Sequence, residues 1–357
     1  GNQFITINIH NIEEAVRHID FYDFLINGVI CFILTSSALK FKVSDLRSYW
    51  KPISILASIA LVLCAVFFGV VLYGYQFIIG QHVDLLVLLL LGAALGATDP
   101  IGIKGVLSSV RAPHHLMVKL EGESLFNDAM CIALFMTLLN VLQGENFTVM
   151  GVLQTLLYEI FVAVIIGWAF GLGILRLLRG KHEMESLILT TALLACGSYL
   201  VALFAHASAP IACVIGGLIV GNKWKEILQE REIREVNHFW HTVEGIINSF
   251  LFTLIGLELF ILDLSFSLIF GGIVAFIILH ASRFAANYLS FAFFPSFRKK
   301  SYNGSLAILS WGGVRGGISL ALILAVANVP ELSEYSSILF GYTFIAVLFS
   351  GMVCGLG

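Results

Sequence analysis

The sequence predicts an all-α protein that crosses a membrane many times, and three observations predict it. Composition is the first: 59% of the residues are hydrophobic and only 12% are charged. The mean hydropathy of +0.94 lies outside the range of soluble globular domains. Segmentation is the second. Apolar runs of about 20 residues, the length a helix needs to span the hydrocarbon core, recur along the whole chain. The third is the distribution of charge, which alternates from one connection to the next. A net charge of −3 says little here, because charge is sorted by loop.

Eleven apolar segments run roughly over 22–39, 53–79, 83–110, 116–143, 149–178, 186–205, 210–221, 239–262, 266–294, 303–328 and 336–357. The third and tenth are interrupted and the seventh is short. Lys and Arg collect on cytoplasmic connections. Lys40, Lys42, Arg47 and Lys51 follow the first segment, and Lys104, Arg111 and Lys119 go with the third. Arg176, Arg179 and Lys181 follow the fifth, Lys223, Lys225, Arg231 and Arg234 the seventh, and Arg298, Lys299 and Lys300 the ninth. These are 17 of the 20 Lys and Arg residues. The intervening connections hold none and carry His82, Asp84, Glu145, His206, Asp263, Glu331 and Glu334 instead. A wrong segment count would scramble this alternation. It puts residues 1–21 outside, as an external tail or partial helix, and the C-terminal end inside. Arg17, Arg283 and Arg315 are the exceptions. The chain opens without Met, no signal-peptide pattern precedes its first apolar run, and it stops inside an apolar stretch, so it reads as trimmed at both ends.

Two interruptions stand out. One falls at Ala97-Thr98-Asp99-Pro100-Ile101-Gly102, where Pro100 lacks an amide proton and clashes with the preceding turn. The other falls at Trp311-Gly312-Gly313-Val314-Arg315-Gly316-Gly317, where clustered glycine weakens the helix. Unpaired backbone at membrane depth is tolerated only where protein buries it or it lines a cavity. Broken segments in corresponding places of two halves point to a transporter binding site. Segments 2–4 and 9–11 have opposite orientations with the broken segment in the middle of each, the pattern of an inverted repeat.

Carboxylates gather at the first break. Asp99 lies in it, and Glu121-Gly122-Glu123-Ser124-Leu125-Phe126-Asn127-Asp128 opens the apolar part of the next segment. Charges in a bilayer are costly and mark ion or proton paths by default. Ser124 and Asp128 are one helical turn apart, as are Glu123 and Asn127. The second pair is rotated about 100° from the first. Arg315 is the expected cationic partner of Glu123. Asp128, Asp99, the Ser124 hydroxyl and the Thr98 carbonyl are the hard oxygen ligands an alkali cation prefers. Desolvation raises a carboxylate's pKa while nearby cations and donors lower it. With the balance near neutrality, one carboxylate holds either a proton or a sodium ion, and each displaces the other.

Plainer roles compete. Asp99 can cap the half-helix after the break. Glu123 and Arg315 can form a purely structural pair, and Asp128 can be a satisfied core carboxylate. Glu159 and Glu244 suit interfacial or cavity-wetting roles. Arg283 suits either a helix end or the core. His114, His115, His182, His238 and His241 read as solvated loop residues ahead of pH sensors. Cys31, Cys64, Cys131, Cys196, Cys213 and Cys354 lie singly, with no metal spacing, and read as packing residues. Residues 222–237, with acids and bases at i, i+4, read as a surface helix at the cytoplasmic boundary.

Four motifs, Ala97–Pro100, Glu121–Asp128, Phe252-Thr253-Leu254-Ile255-Gly256-Leu257-Glu258 and Trp311–Gly317, together resemble the signature set of the sodium/proton exchangers of the monovalent cation:proton antiporter family 1. The resemblance covers essentially the whole chain. It implies an inverted-repeat antiporter fold with two broken, crossing helices, in a homodimer of thirteen-helix protomers whose first two helices are absent here. It assigns 22–52 and 149–262 mainly to the dimerisation side and linking helices. It assigns 53–148 and 263–357 to a core ion-transport domain of two inverted three-helix repeats. By resemblance, Asp128 carries the cation or the proton, Ser124 and the Thr98 carbonyl are ligands, and Asp99 and Glu123 assist. Arg315 would hold Glu123 and Asn127 as a structural ion pair. Asn127-Asp128 resembles the electroneutral branch.

The leading expectation is therefore a secondary active antiporter, not an enzyme. It would exchange sodium, with lithium and potassium as alternatives, for protons, one for one, by an elevator-like core movement. It needs no cofactor, and its partners are the transported ions, membrane lipid and a second copy, with no nucleic acid. Its expected place is the plasma (inner) membrane, with a part in pH homeostasis. A passive cation channel, a non-transporting sensor on the same fold, and an intramembrane enzyme using Asp99 and Asp128 are the competing classes.

Overall fold

The computed structural model describes residues 29–98, 114–144, 148–180, 183–261, 265–293, 303–326 and 329–356, and every regular element among them is helical. The first is α1, Ile30–Lys40. Next comes α2, Val43–Ile55, which passes through a π turn at Leu56–Ala60 into α3, Leu61–Ile78. The second apolar segment thus begins some ten residues earlier than its hydropathy predicts. Pro52 does not stop the helix. It bends it at Tyr49, whose φ of −124° and ψ of 18° are not helical, because proline clashes with the carbonyl one turn back.

Then come α4, Leu85–Ala94, α5, His114–Leu142, α6, Val149–Leu178, α7, Met184–Phe204, and α8, Ala209–Lys223. The rest are α9, Glu230–Ile261, α10, Phe266–Phe293, α11, Asn303–Trp311, α12, Gly317–Val326, and α13, Ser336–Leu356. Six described stretches are long and apolar enough to cross a bilayer: Val43–Ile78, Leu116–Leu142, Met150–Leu178, Met184–Phe204, Phe266–Ala292 and Pro330–Val353. The other segments fall short for local reasons. α4, α11 and α12 are pieces of interrupted segments, α8 has only 15 residues, and α9 begins in charged sequence.

α9 also corrects one expectation. Residues 222–237 do not form a separate surface helix. A short 3-10 turn at Trp224–Glu226 leads to α9, which continues unbroken from its charged start into its apolar part. Arg231 Nε donates to Glu235 Oε1 at 2.9 Å across one exposed turn. The buried Trp240 anchors the next turns. Its Nε1 donates to Thr191 Oγ1 at 3.0 Å, and its ring stacks on Phe32 at 5.8 Å.

Helix α8 packs against α6, α7 and α1, while α3 packs against α4 and α10, and α10 against α13. The α8–α1 contact is backbone on backbone. A Cβ at Gly221 would collide with the Leu39 carbonyl. The neighbouring Asn222 then brackets the α1–α2 junction: its Oδ1 accepts from Val43 N at 2.7 Å, and its Nδ2 donates to Phe41 O at 2.9 Å. Along α6, Leu153, Leu157, Phe161, Ile165 and Trp168 stay exposed at helical spacing, an apolar stripe that a bilayer solvates.

Gly221→Ala is expected to destabilise the protein by about 1–3 kcal/mol, because overpacking against backbone forces the helices apart. Gly74→Ala, with nothing near its added Cβ, should be neutral or gain up to about 1 kcal/mol of helix propensity. Unfolding midpoints in detergent measure both, and equal effects would contradict the close α8–α1 approach.

Candidate functional site

The site grows from the end of α4. Leu95 closes the last turn through its N–H to Leu91 O, and the chain then leaves the helix at Ala97 and Thr98. Gly96, Ala97 and Thr98 are buried, and their carbonyls sit where the helix ends. Buried backbone polar groups find partners almost without exception, and here side chains supply them. Asn127 Nδ2 donates to Gly96 O at 2.7 Å and to Thr98 Oγ1 at 3.2 Å. Ser124 Oγ donates to Thr98 O at 2.5 Å. Arg315 Nη1 donates to Gly96 O at 3.2 Å and Ala97 O at 3.4 Å. In the opposite sense, Thr98 N donates to Asp128 Oδ1 at 3.2 Å.

Helix geometry explains how one element does most of this. Asn127, Asp128 and Cys131 lie three, four and seven residues after Ser124 on α5 and so share one broad face. Cys131 extends the row, its Sγ reaching Ala93 O at 2.6 Å. Asp128 is only half-buried, whereas Glu123, Ser124 and Asn127 are buried. The carboxylate, the Ser124 hydroxyl and the Thr98 carbonyl thus meet in one oxygen-rich place. Asp99 lies outside the described residues.

The second break joins the first. Helix α11 ends at Trp311, α12 begins at Gly317, and the residues between are buried. Arg315 projects from this break onto the carbonyls of the other, and its backbone N donates to Ser350 Oγ at 2.9 Å.

The expected Glu123–Arg315 pair is not the one observed. Glu123 Oε1 accepts from Arg283 Nη2 at 2.5 Å, and Asn127 is held by the α4 break. Arg283 Nη2 and Nε also donate to Leu309 O, at 3.2 and 3.4 Å. The reason is steric and electrostatic together. The freed carbonyls of the α4 break occupy Arg315 Nη1. On the other side α10 lies close to the second break, where a Cβ at Gly313 would come within 2.6 Å of the Arg283 guanidinium. Glycine there leaves Arg283 a path to Glu123. The sequence signal was the presence of Arg283 inside an apolar segment, against the charge rule. Among the described residues, Arg315 Nε and Nη2 and Glu123 Oε2 are buried without a hydrogen-bond partner.

The outlying residues take other places. Glu244 Oε2 pairs with Lys40 Nζ at 2.7 Å and accepts from Ser36 Oγ at 3.0 Å, fastening α9 to α1. The Glu159 side chain is half-buried, and its carbonyl accepts from Ser208 N at 3.3 Å. His238 and His241 are exposed. Cys31, Cys64, Cys131 and Cys213 are buried free thiols and Cys196 is half-buried. The Phe252–Glu258 motif lies along α9.

Removing one member of a buried ion pair strands the other, at a cost of about 3–5 kcal/mol. Arg283→Gln should therefore destabilise strongly, and adding Glu123→Gln should recover much of the loss. A double-mutant cycle on unfolding free energies should give a larger coupling for Glu123 with Arg283 than with Arg315. The reverse order would overturn the observed pairing.

Comparison with known proteins identifies the family and the fold. A family model described as sodium/hydrogen exchanger, transmembrane, matches residues 4–356. The chain is 34% identical over 352 residues to the Na(+)/H(+) antiporter NhaP of Pseudomonas aeruginosa, covering 96% of this chain and 82% of that protein. It is 30% identical to the Na(+)/H(+) antiporter NhaH of Halobacillus dabanensis, covering 97% and 85%. The solved structure of the sodium proton antiporter MjNhaP1 from Methanocaldococcus jannaschii superposes with a TM-score of 0.74 at 18% identity, over 94% of this chain and 83% of that one. The fold is thus that of a multi-pass integral membrane antiporter, with two broken segments meeting at their breaks. By the span of the family model and the identity to its relatives, the chain belongs to the sodium/hydrogen exchanger transmembrane family.

Proposed function

We propose that this protein is a secondary active antiporter that exchanges sodium for protons, one for one, on the carboxylate of Asp128. One observation carries the reading: Asp128, the Ser124 hydroxyl and the Thr98 carbonyl converge where α4 unwinds. They form a hard oxygen set suited to an alkali cation. Arg283 is engaged by Glu123 and Leu309 O, and Arg315 Nη1 by Gly96 and Ala97. Asp128, which accepts from Thr98 N beside the Ser124 hydroxyl, is the carboxylate proposed to take up sodium or a proton. Relatives named as Na(+)/H(+) antiporters support the same chemistry.

The direct ligands in this proposal are Asp128, Ser124 and the Thr98 carbonyl, with Asp99 and Glu123 assisting. The Glu123–Arg283 pair and Asn127 hold α5 against the break. Alternating access would move a core of 53–148 and 263–357 past 22–52 and 149–262, in a homodimer in the plasma membrane. The packing of α1, α6, α7 and α8 on one another supports such a division, as does that of α3, α4, α10 and α13. The reaction is transport, with no bond made or broken.

In proteoliposomes with a pH dye, sodium should drive dequenching in the parent protein, and Asp128→Asn should reduce it to background. Clamping the membrane voltage should leave the parent rate unchanged. Because one site takes either ion, lowering pH should raise the apparent sodium KM, by about tenfold per pH unit once the protonated form dominates. A sodium KM flat across pH would reject competition at one carboxylate. An unimpaired Asp128→Asn would move the carrier role elsewhere. Parallel runs with lithium and potassium establish the cation preference.

A further inference from the structure

A cavity of about 440 Å³ lies at the far end of α3, between the turn into α4 and the 3-10 turn Pro330–Tyr335. Its size is that of a small-ligand pocket. Tyr73, Phe77 and Tyr335 supply aromatic walls, and His82 and Asp84 supply the polar rim. Asp84 Oδ1 already caps α4 by accepting from Leu86 N at 2.9 Å. A carboxylate has two oxygens and about four acceptor sites, so the cap leaves acceptor capacity facing the cavity.

The surrounding charge is one-sided. No Lys or Arg occurs between residues 52 and 103 or between 316 and 357, the two stretches that build the walls. The exposed Glu331 and Glu334 lie on the same 3-10 turn as Tyr335. An acidic rim over aromatic faces selects a cation. The aromatic walls favour an organic ammonium over a bare metal ion, because ring faces attract ammonium groups and a primary ammonium can also donate N–H to the remaining acceptor sites of Asp84, whereas sodium prefers oxygen ligands. The cavity lies at the end of the candidate membrane span Val43–Ile78. Phe77 and Ile78 beside it are 68% and 83% exposed, and tyrosines with one wet end favour the membrane–water interface.

We propose that this cavity holds the ammonium of a zwitterionic phospholipid headgroup, of the ethanolamine type, between the Asp84 carboxylate and the rings of Tyr73 and Tyr335. The site lies apart from the α4–α5 ion site and does not depend on how ions are exchanged there. It would tie the α3–α4 turn and the 3-10 turn to the bilayer surface.

Ligand binding to the native state alone raises the unfolding midpoint. The test compares midpoints in detergent with added phosphatidylethanolamine and with phosphatidylglycerol of the same acyl chains. The ethanolamine lipid should raise the midpoint of the parent protein by several degrees more than the glycerol lipid. Asp84→Asn keeps the helix cap, since Asn caps as well as Asp, but removes the charge. The lipid difference should vanish in this variant and shrink in Tyr335→Leu, which keeps an apolar wall without the ring. Equal shifts from the two lipids, or an undiminished difference in both variants, would overturn the proposal. So would an equal shift from soluble phosphoethanolamine, which would assign the cavity to a free amine. The readout needs no ion transport, so its failure and a failure of the exchange reading are separately visible.

Discussion

Three buried carbonyls at the end of α4, each met by a side chain, organise the architecture of this protein. Where α4 unwinds, Gly96, Ala97 and Thr98 are buried, and each unmet buried acceptor would cost about 1–3 kcal/mol. Asn127, Ser124 and Arg315 meet all three. The demand explains why α5 carries polar residues on one face deep in an apolar helix. It also explains why a second interrupted segment must come close enough to deliver an arginine. Flexibility of the break is therefore limited: the backbone is non-helical, yet it is held from two sides.

The two buried arginines divide their work. Arg283 meets the charge of Glu123 and a carbonyl of α11, while Arg315 serves the α4 break. The separation bears on the proposed exchange at Asp128. A guanidinium locked onto Asp128 would oppose both protonation and cation entry, since a nearby positive charge stabilises the ionised carboxylate and repels the ion. Glu123 acts as the local counter-charge that keeps Arg283 occupied. Gly313 makes the arrangement possible by leaving room for the guanidinium.

Much of this was legible in the sequence, and the failures are instructive. Hydropathy and charge alternation located the helices because bilayer thickness and topology act on every segment independently. The breaks were legible because proline and clustered glycine act locally. Ser124 and Asp128 could be placed on one face because helical spacing is fixed. The choice between Arg283 and Arg315 was not legible, since it depends on which of two distant segments passes nearer to α5. Local patterns do not encode that distance. The start of α2 and the continuity of α9 were missed for a related reason. Hydropathy marks where a helix enters apolar surroundings, while the helix itself begins wherever packing first supports it, as the buried Ile233 and Val236 do for α9.

Charge at the site also bears on the energetics of exchange. Among the described groups that meet at the breaks, Glu123 and ionised Asp128 balance Arg283 and Arg315. With Asp128 as the shared site, loading a sodium ion adds one positive charge, and loading a proton adds the same. The two loaded forms therefore present equal charge to the membrane field as they cross in opposite directions, and the work done on one leg is returned on the other. A second titrating carboxylate would break this symmetry, because a single sodium ion could then be exchanged for two protons. Asn127 stands where such a carboxylate would stand, one residue before Asp128, and its amide is committed to Gly96 O and Thr98 Oγ1. An aspartate there could not donate to that carbonyl in its ionised form. The same side chain that supports the break thus puts an amide, which does not titrate, next to Asp128.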